Sequence, residues 1–415
     1  MNRRELLKNG FCLTGGLWLS QLGLAQKALA ATDNHQRPQF LVQLVLNNGW
    51  HTSLSVDPWI LPQRLDEKDA FIEYLDNEVF RQGEINLGPA MASMQKFAPQ
   101  LNIINGIFLS ASDNGHSAAQ IYSTTGKGSG EAASIAAEYA LSKEKSILGV
   151  LSKGSLYKGS SAVPFTSVGD LKAISTDDSI DLEFRNPTSV ISKALLSKRA
   201  NLPKFTAMNE EIQKLAAQKI TLNDGHYIAA AFKEGLANSS SYMVEADSGT
   251  LDSHSDHPGN HMRAQKNMWE QIANIISAFK EVEYEAGVSL FDLTTFFITS
   301  DFSRTPALDS SKGTNHNPLN NSAVIIGPGF KGNSTFGASR VVPSYESANG
   351  ASYLIAQMVD LKTGEILKNK ESAKTNGTLI RPETVIATLA DALKIQRNIF
   401  SPVTEEEPSI KKLLK

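Results

Sequence analysis

One cysteine stands in 415 residues, and it lies at position 12. The chain beyond it can form no disulfide and offer no thiolate, so any metal site must be built from His, Asp, Glu, Asn, Ser or Thr. Strong charge of one sign is also lacking: 40 Lys and Arg against 43 Asp and Glu leave a net charge of -3. No basic stripe with interleaved aromatics occurs, which argues against nucleic acid as a partner. The Lys411-Lys412 pair is too short to make such a stripe. Long apolar runs are missing too. Phe11 to Leu24 is too short, and too rich in Gly, Ser and Gln, to cross a bilayer, so no membrane span is expected in the mature form. There is no internal repeat and no low-complexity tract. What remains is a composition 41% hydrophobic and 20% charged, that of a globular chain long enough for a large core.

The first thirty residues read as an address. Asn2-Arg3-Arg4-Glu5-Leu6-Leu7-Lys8 has the form of a twin-arginine signal, and the moderately apolar stretch after it ends in a small-x-small site at Ala28-Leu29-Ala30. The expectation is a folded protein handed to the Tat translocase and delivered to the periplasm or beyond. Cys12 would leave with the signal.

Strand-like and helix-like stretches alternate after that. Gln39 to Leu46 is a continuous β-rich apolar run suited to a buried strand. It breaks at Asn47-Asn48-Gly49-Trp50-His51-Thr52-Ser53. Helix is expected between Leu65 and Phe97. Leu101 to Leu109 reads as a second strand, running into Ser110-Ala111-Ser112-Asp113-Asn114-Gly115-His116-Ser117 and a helix from Ala118. Hydroxyls at a helix start can be nucleophiles or simple caps. The segment from about 124 to 220 reads as an insertion over the sheet's rim, with short strands at Ile147 to Leu151 and Ala162 to Val168 and helices near Val190 to Leu196 and Met208 to Ala217. His226, opening a helix, reads as an ordinary helix-end residue.

Leu251 to His261 is the densest chemistry in the chain. It offers Asp252, His254, Asp256, His257 and His261 in eleven residues, between a strand-like run (Tyr242 to Glu245) and a helical pattern from Met262 to Phe279. Carboxylate and imidazole together are the donors a borderline divalent ion prefers. Further on, a strand from Asp292 to Thr299 ends in Ser300-Asp301-Phe302-Ser303-Arg304-Thr305-Pro306, and Gly313-Thr314-Asn315-His316 precedes a strand at Ser322 to Ile326. Helices are expected at Ala351 to Asp360 and Pro382 to Leu393, and a charged tail at 401–415. Four polar loops in series, each at a strand end, read as one site on the rim of a mainly parallel sheet.

These residues carry a resemblance. The twin-arginine start, the LDSHSD stretch, SDFSRTP and GTNH resemble the exported bacterial family labelled domain of unknown function 1501, whose signatures include G-x-D-T-H, S-E-F-G-R-T-P and G-T-D-H-G. That family is placed among the alkaline phosphatases and sulfatases. The resemblance implies a three-layer α/β/α sandwich with a mainly parallel central sheet, forming a single domain over about 31–400. It implies divalent metal (Zn, Mn or Ca) held by Asp252, His254, Asp301 and His316, with His261, His257 and His51 as weaker candidate ligands. A hydroxyl of the 110–117 loop (Ser112, or Ser110 or Ser117) would be the nucleophile and His116 or His51 the proton carrier, and Arg304 would orient an anion or brace its loop. The implied activity is hydrolysis of a phosphate or sulfate ester, on a small-molecule or polymeric anionic substrate. The sequence departs from this pattern in three places. No carboxylate follows the first strand before Asp57, Asn315 stands where the family has Asp, and there is no sulfatase C/S-x-P-x-R context. The first two departures support a competing expectation, a catalytically degenerate binding protein on the same fold, against which the surviving Asp252-x-His254, Asp301 and His316 argue; the third argues against a formylglycine sulfatase.

Overall fold

The structure is a computed structural model that describes residues 37–59, 74–126, 134–143, 146–157, 163–176, 202–342, 352–367, 377–395 and 406–415. The expected signal at 1–30 and the helix expected near Val190 to Leu196 lie outside the described residues. Gln39–Lys415 forms one compact unit.

Eight strands make its central sheet. In chain order they are β1 (Phe40–Leu46), β2 (Asn102–Ile107), β3 (Val150–Lys153), β4 (Phe165–Ser167), β5 (Ser239–Val244), β6 (Thr294–Ser300), β7 (Asn321–Ile326) and β8 (Ser334–Phe336). Their spatial order is β8-β2-β7-β6-β1-β5-β3-β4. β7 pairs antiparallel with both β6 and β2, and every other pairing is parallel. β1 sits in the middle because FLVQLVL can be buried on both faces, and all seven of its residues are.

Side chains alternate across the sheet, so each strand feeds two cores. Val42, Leu44, Leu46, Phe296 and Ile298 pack on one side, under helices α5 (Asp224–Lys233) and α6 (His257–Glu281) and the 3-10 segment Pro89–Gln100. Leu41, Phe297 and Ile325 pack on the other, under α1 (Gly115–Thr125), α2 (Ile135–Ser142) and α7 (Pro382–Leu393). The result is the expected α/β/α layering. Two further helices, α3 (Val168–Thr176) and α4 (Leu202–Ala217), lie over the first core. No helix among the described residues is long and apolar enough to cross a membrane.

Several local expectations are corrected. The described part of 65–97 holds a hairpin, Phe80–Gln82 with Ile85–Leu87, ahead of the 3-10 segment. Gly83 at φ 61° supplies the turn there. Ala351 to Asp360 contains a strand, Tyr353–Ala356, paired with Ser339–Val342, because its apolar residues meet a partner strand rather than a helix groove. Within the described part of 124–220, β3 and β4 extend the main sheet's edge, since Val150 and Leu151 are apolar enough to be buried between neighbours. Helix α6 starts at His257, five residues ahead of the apolar periodicity. Asp256 turns left-handed at φ 48°, and the His257 amide donates to the Lys312 carbonyl at 2.8 Å.

One polar cluster props the α5 side. Asp224 takes hydrogen bonds from Lys153 (2.9 Å) and Tyr242 (2.5 Å) and pairs with Lys172. Burial alone would raise its carboxyl, but these three partners outweigh it and hold the pKa down at about 2. A depressed carboxyl stabilises the fold above its unfolded pKa of 3.8, and that contribution is lost as pH falls from about 4 to 2. Asp224→Asn is therefore expected to cost about 2 kcal/mol at neutral pH and little at pH 2, by urea melts at both. Equal losses at both would refute the charge argument.

Candidate functional site

The parallel strands β1, β2, β5 and β6 end at one edge of the sheet, and antiparallel β7 begins there. The four polar loops therefore meet. Helix α1 opens at Gly115, three residues before the sequence pattern suggests, which places His116 in its first turn.

Three imidazoles converge on one carboxylate oxygen, Oδ1 of Asp252. His116 Nε2 lies 3.2 Å from it, His254 Nε2 3.2 Å and His316 Nε2 3.9 Å. His254 Nε2 is also 3.2 Å from His316 Nε2. Each ring is held from behind through Nδ1: His116 by Asp301 Oδ2 at 2.5 Å, His316 by Asp113 Oδ2 at 2.8 Å, and His254 by Asn315 Oδ1 at 3.3 Å. An oxygen acceptor at Nδ1 places the proton there and turns the Nε2 lone pair inward. Lone pairs facing a carboxylate oxygen repel it unless a cation or protons lie among them. The spacing also suits an ion: tetrahedral ligands at about 2.0–2.1 Å lie roughly 3.3 Å apart. His116, Asp252 and His316 each offer a ligand atom within 4.8 Å of the others, and these are the residues that could hold a divalent ion. Three carboxylates against one guanidinium leave the neutral-imidazole site doubly negative, which matches that charge.

Asp301 does not join this convergence directly. It is wholly buried at the end of β6, fixed by Ser300 Oγ (2.8 Å) and the Phe302 amide (3.2 Å), and it reaches the group only through His116. Arg304 is wholly buried as well. Its guanidinium donates to the carbonyls of Asn48 (2.8 Å), Gly49 (3.4 Å) and Thr314 (3.2 Å) and to Asp252 Oδ1 (2.7 Å). Gly49 meets it at φ 78°, where a Cβ would strike the Phe302 ring. Arg304 thus clamps three loops together behind Asp252. Ser112 is bonded to Ser110 and Asn114 and to no member of the histidine group.

The electrostatics follow. Burial would raise the Asp252 carboxyl, but the Arg304 hydrogen bond and charge win and hold it below 3.8. Burial would lower His116, yet the Asp301 hydrogen bond and charge, with Asp252, bring it above 6.5. His316 is held below 6.5, first by burial and then by Arg304.

His51, His257 and His261 form a separate, wholly buried group. His257 stacks on His261 with centroids 4.2 Å apart, and His51 stands edge-on to both. Gln265 accepts from the His51 amide (2.8 Å), donates to its carbonyl (3.0 Å) and faces His261 Nε2 (2.8 Å). His261 Nδ1 meets Ser253 Oγ at 3.0 Å. The first-strand loop therefore sends its histidine into the interior and contributes no side chain to the Asp252 group. His226 caps its own helix, accepting from the Asn223 amide at 3.0 Å and facing Glu281 at 2.8 Å.

Sequence reasoning missed Asp113 and Asn315 as supports and Gln265 as a clamp. The available signal was Asp113 three residues before His116, and Gln265 one helical turn beyond His261. Gly313 also matters: a Cβ there would lie 2.0 Å from the His254 carbonyl carbon, against backbone. Gly313→Ala is expected to displace the His254 ring while the protein stays folded, seen as shifted His254 imidazole NMR signals with the thermal melt retained. Unshifted signals would show that the loop yields at no cost.

Comparison with known proteins gives three findings. The family described as Protein of unknown function (DUF1501) matches residues 229–361, the span from α5 through the Asp252, Asp301 and His316 loops. No curated protein matches the chain. Among solved structures, the PsFucS1 sulfatase from Pseudoalteromonas sp. is similar over 79% of this chain and 70% of that one, at 10% identity and a TM-score of 0.31.

Proposed function

We propose that this protein is an exported, metal-dependent hydrolase of phosphate or sulfate esters, delivered by the Tat route to the periplasm or beyond. One observation carries the reading: three Nε2 atoms gather around Asp252 Oδ1 with every Nδ1 held by an oxygen. His116, Asp252 and His316 would hold a divalent ion, with one side left to solvent, as Asp252 is 41% exposed. Such an ion would supply Lewis-acid polarisation of the ester's phosphoryl or sulfuryl oxygen.

The chain's own residues do the rest. Asp301 fixes the His116 ring and Asp113 the His316 ring, so neither rotates as charge builds in the site. His254, half exposed with its Nδ1 on Asn315, stands beside the group and exchanges a proton at Nε2 with an attacking water or a departing alcohol. Arg304 sets the position of Asp252 from the interior. The roles of His116 and His254 thus exchange relative to the sequence reading, and Ser112 is left without a catalytic task.

The test is metal content of the exported, purified protein and of the chelated protein reloaded with Zn, Mn or Ca, beside a His116→Ala, His316→Ala variant. Expected is about one equivalent in the wild type, none in the variant, and hydrolysis of 4-nitrophenyl phosphate or sulfate reduced at least 100-fold with it. A folded wild type that takes up none of the three ions ends this reading. Metal without turnover would favour the second one, a binding protein, which the absence of any first-strand side chain at the site also supports.

A further inference from the structure

A cavity of about 310 Å³ opens beside the histidine group. Its walls include the loops that carry His116 and His316. Ser110, Ser112 and Asn114 flank Asp113, and Pro318 follows His316 by two residues. The loops are joined there, since the amides of Leu109 and Ser110 both donate to the Pro318 carbonyl at 3.1 Å. The far wall is Tyr122, on α1 two turns beyond His116, whose hydroxyl donates to both oxygens of Glu383 at 3.1 and 3.0 Å.

The chemistry of the lining selects its occupant. No Lys, Arg or His lines the cavity among the described residues, and it carries one carboxylate. With no cationic side chain in its lining, the cavity offers an ester anion no counter-charge, and the anion belongs at the histidine group. The cavity therefore receives the remainder of the molecule. Leu109, Ala118, Ala119 and Pro318 supply apolar lining, while three hydroxyls, an amide and a carboxylate supply hydrogen-bonding groups. A sugar ring or cyclic polyol, with apolar C–H faces and a rim of hydroxyls, uses both kinds of lining. Glu383 keeps acceptor capacity beyond the Tyr122 bond, enough to receive two adjacent hydroxyls, and burial raises its carboxyl, which disfavours a role as a bare charge awaiting a cation. The volume is at the lower end for a small-molecule site, that of one ring rather than a chain.

We infer that this cavity is the leaving-group subsite, built for an uncharged, hydroxyl-bearing ring such as a monosaccharide unit. The inference rests on the hydrolase reading for its link to catalysis, but binding of the unesterified ring can be measured without it. The full-length protein is titrated with methyl glycosides of glucose, galactose, mannose and xylose, and with choline, by saturation-transfer NMR and calorimetry. At least one glycoside is expected to bind. Glu383→Gln and Tyr122→Phe should weaken it 10-fold or more with melting temperatures near wild type, while His316→Ala, which removes a metal ligand, should leave glycoside binding intact. On the matching glycoside phosphate or sulfate, Tyr122→Phe should raise KM and spare kcat. No glycoside bound, binding indifferent to both variants, or choline bound in their place would overturn the assignment. Glycoside binding with no metal uptake would overturn the hydrolase reading alone.

Discussion

Acid is expected to unfold this protein steeply between pH 6 and pH 4, beginning about two pH units above the ordinary aspartate pKa. His51, His257 and His261 are wholly buried. Burial pushes His51 down to about 3 from 6.5. Burial, the neighbouring imidazoles and Arg304 push His257 and His261 down as well. A histidine whose folded pKa lies below its unfolded value is neutral in the fold, so the unfolded chain binds more protons below pH 6.5. The stability is full above that pH and lost as pH falls. Each such residue costs about 1.4 kcal/mol per pH unit, and three together about 4. Two pH units then consume about 8 kcal/mol, comparable with a typical domain's whole stability. His257→Phe is the sharpest probe, because both ring nitrogens of His257 lack a partner and the swap breaks no hydrogen bond. It should leave stability at pH 8 unchanged or higher and move the acid midpoint down. An unaltered midpoint, or a transition that releases rather than takes up protons, would sink the argument.

Arg304→Met is expected to cost about 3–5 kcal/mol and, where Asp252 holds the proposed ion, to abolish metal uptake with it. The guanidinium is wholly buried, and its removal leaves the carbonyls of Asn48, Gly49 and Thr314 without donors while freeing Asp252. Lysine should not rescue it, since one ammonium cannot reach four acceptors spread across a planar fork. Chemical denaturation and metal analysis on Arg304→Met and Arg304→Lys check both halves. A loss under about 1 kcal/mol would mean that water replaces the clamp.

The layering was legible in the sequence because its cause is local and periodic. FLVQLVL is a continuous apolar run and TTFFITS is β-branched and aromatic, so both read as strands, and α6 and α7 show helical spacing. The four loops were legible as a set because a parallel sheet brings strand ends to one edge, whatever the loops contain. Asp252, His254 and His316, whose side chains do come together, were picked out that way. Residue identity could not say which donors face each other. His51, His257 and His261 look as ligand-like on paper as His254 does, yet Gln265 and the α6 face draw them into the interior. Asp301 reads as a ligand, and the packing of α1 places His116 in front of it. Arg304 reads as an anion contact until three loop carbonyls are seen to close around it. Periodicity and composition are properties of short stretches of chain, and they determined the fold. Which lone pairs converge depends on residues 50 to 250 positions apart, and only the packed loops decide that.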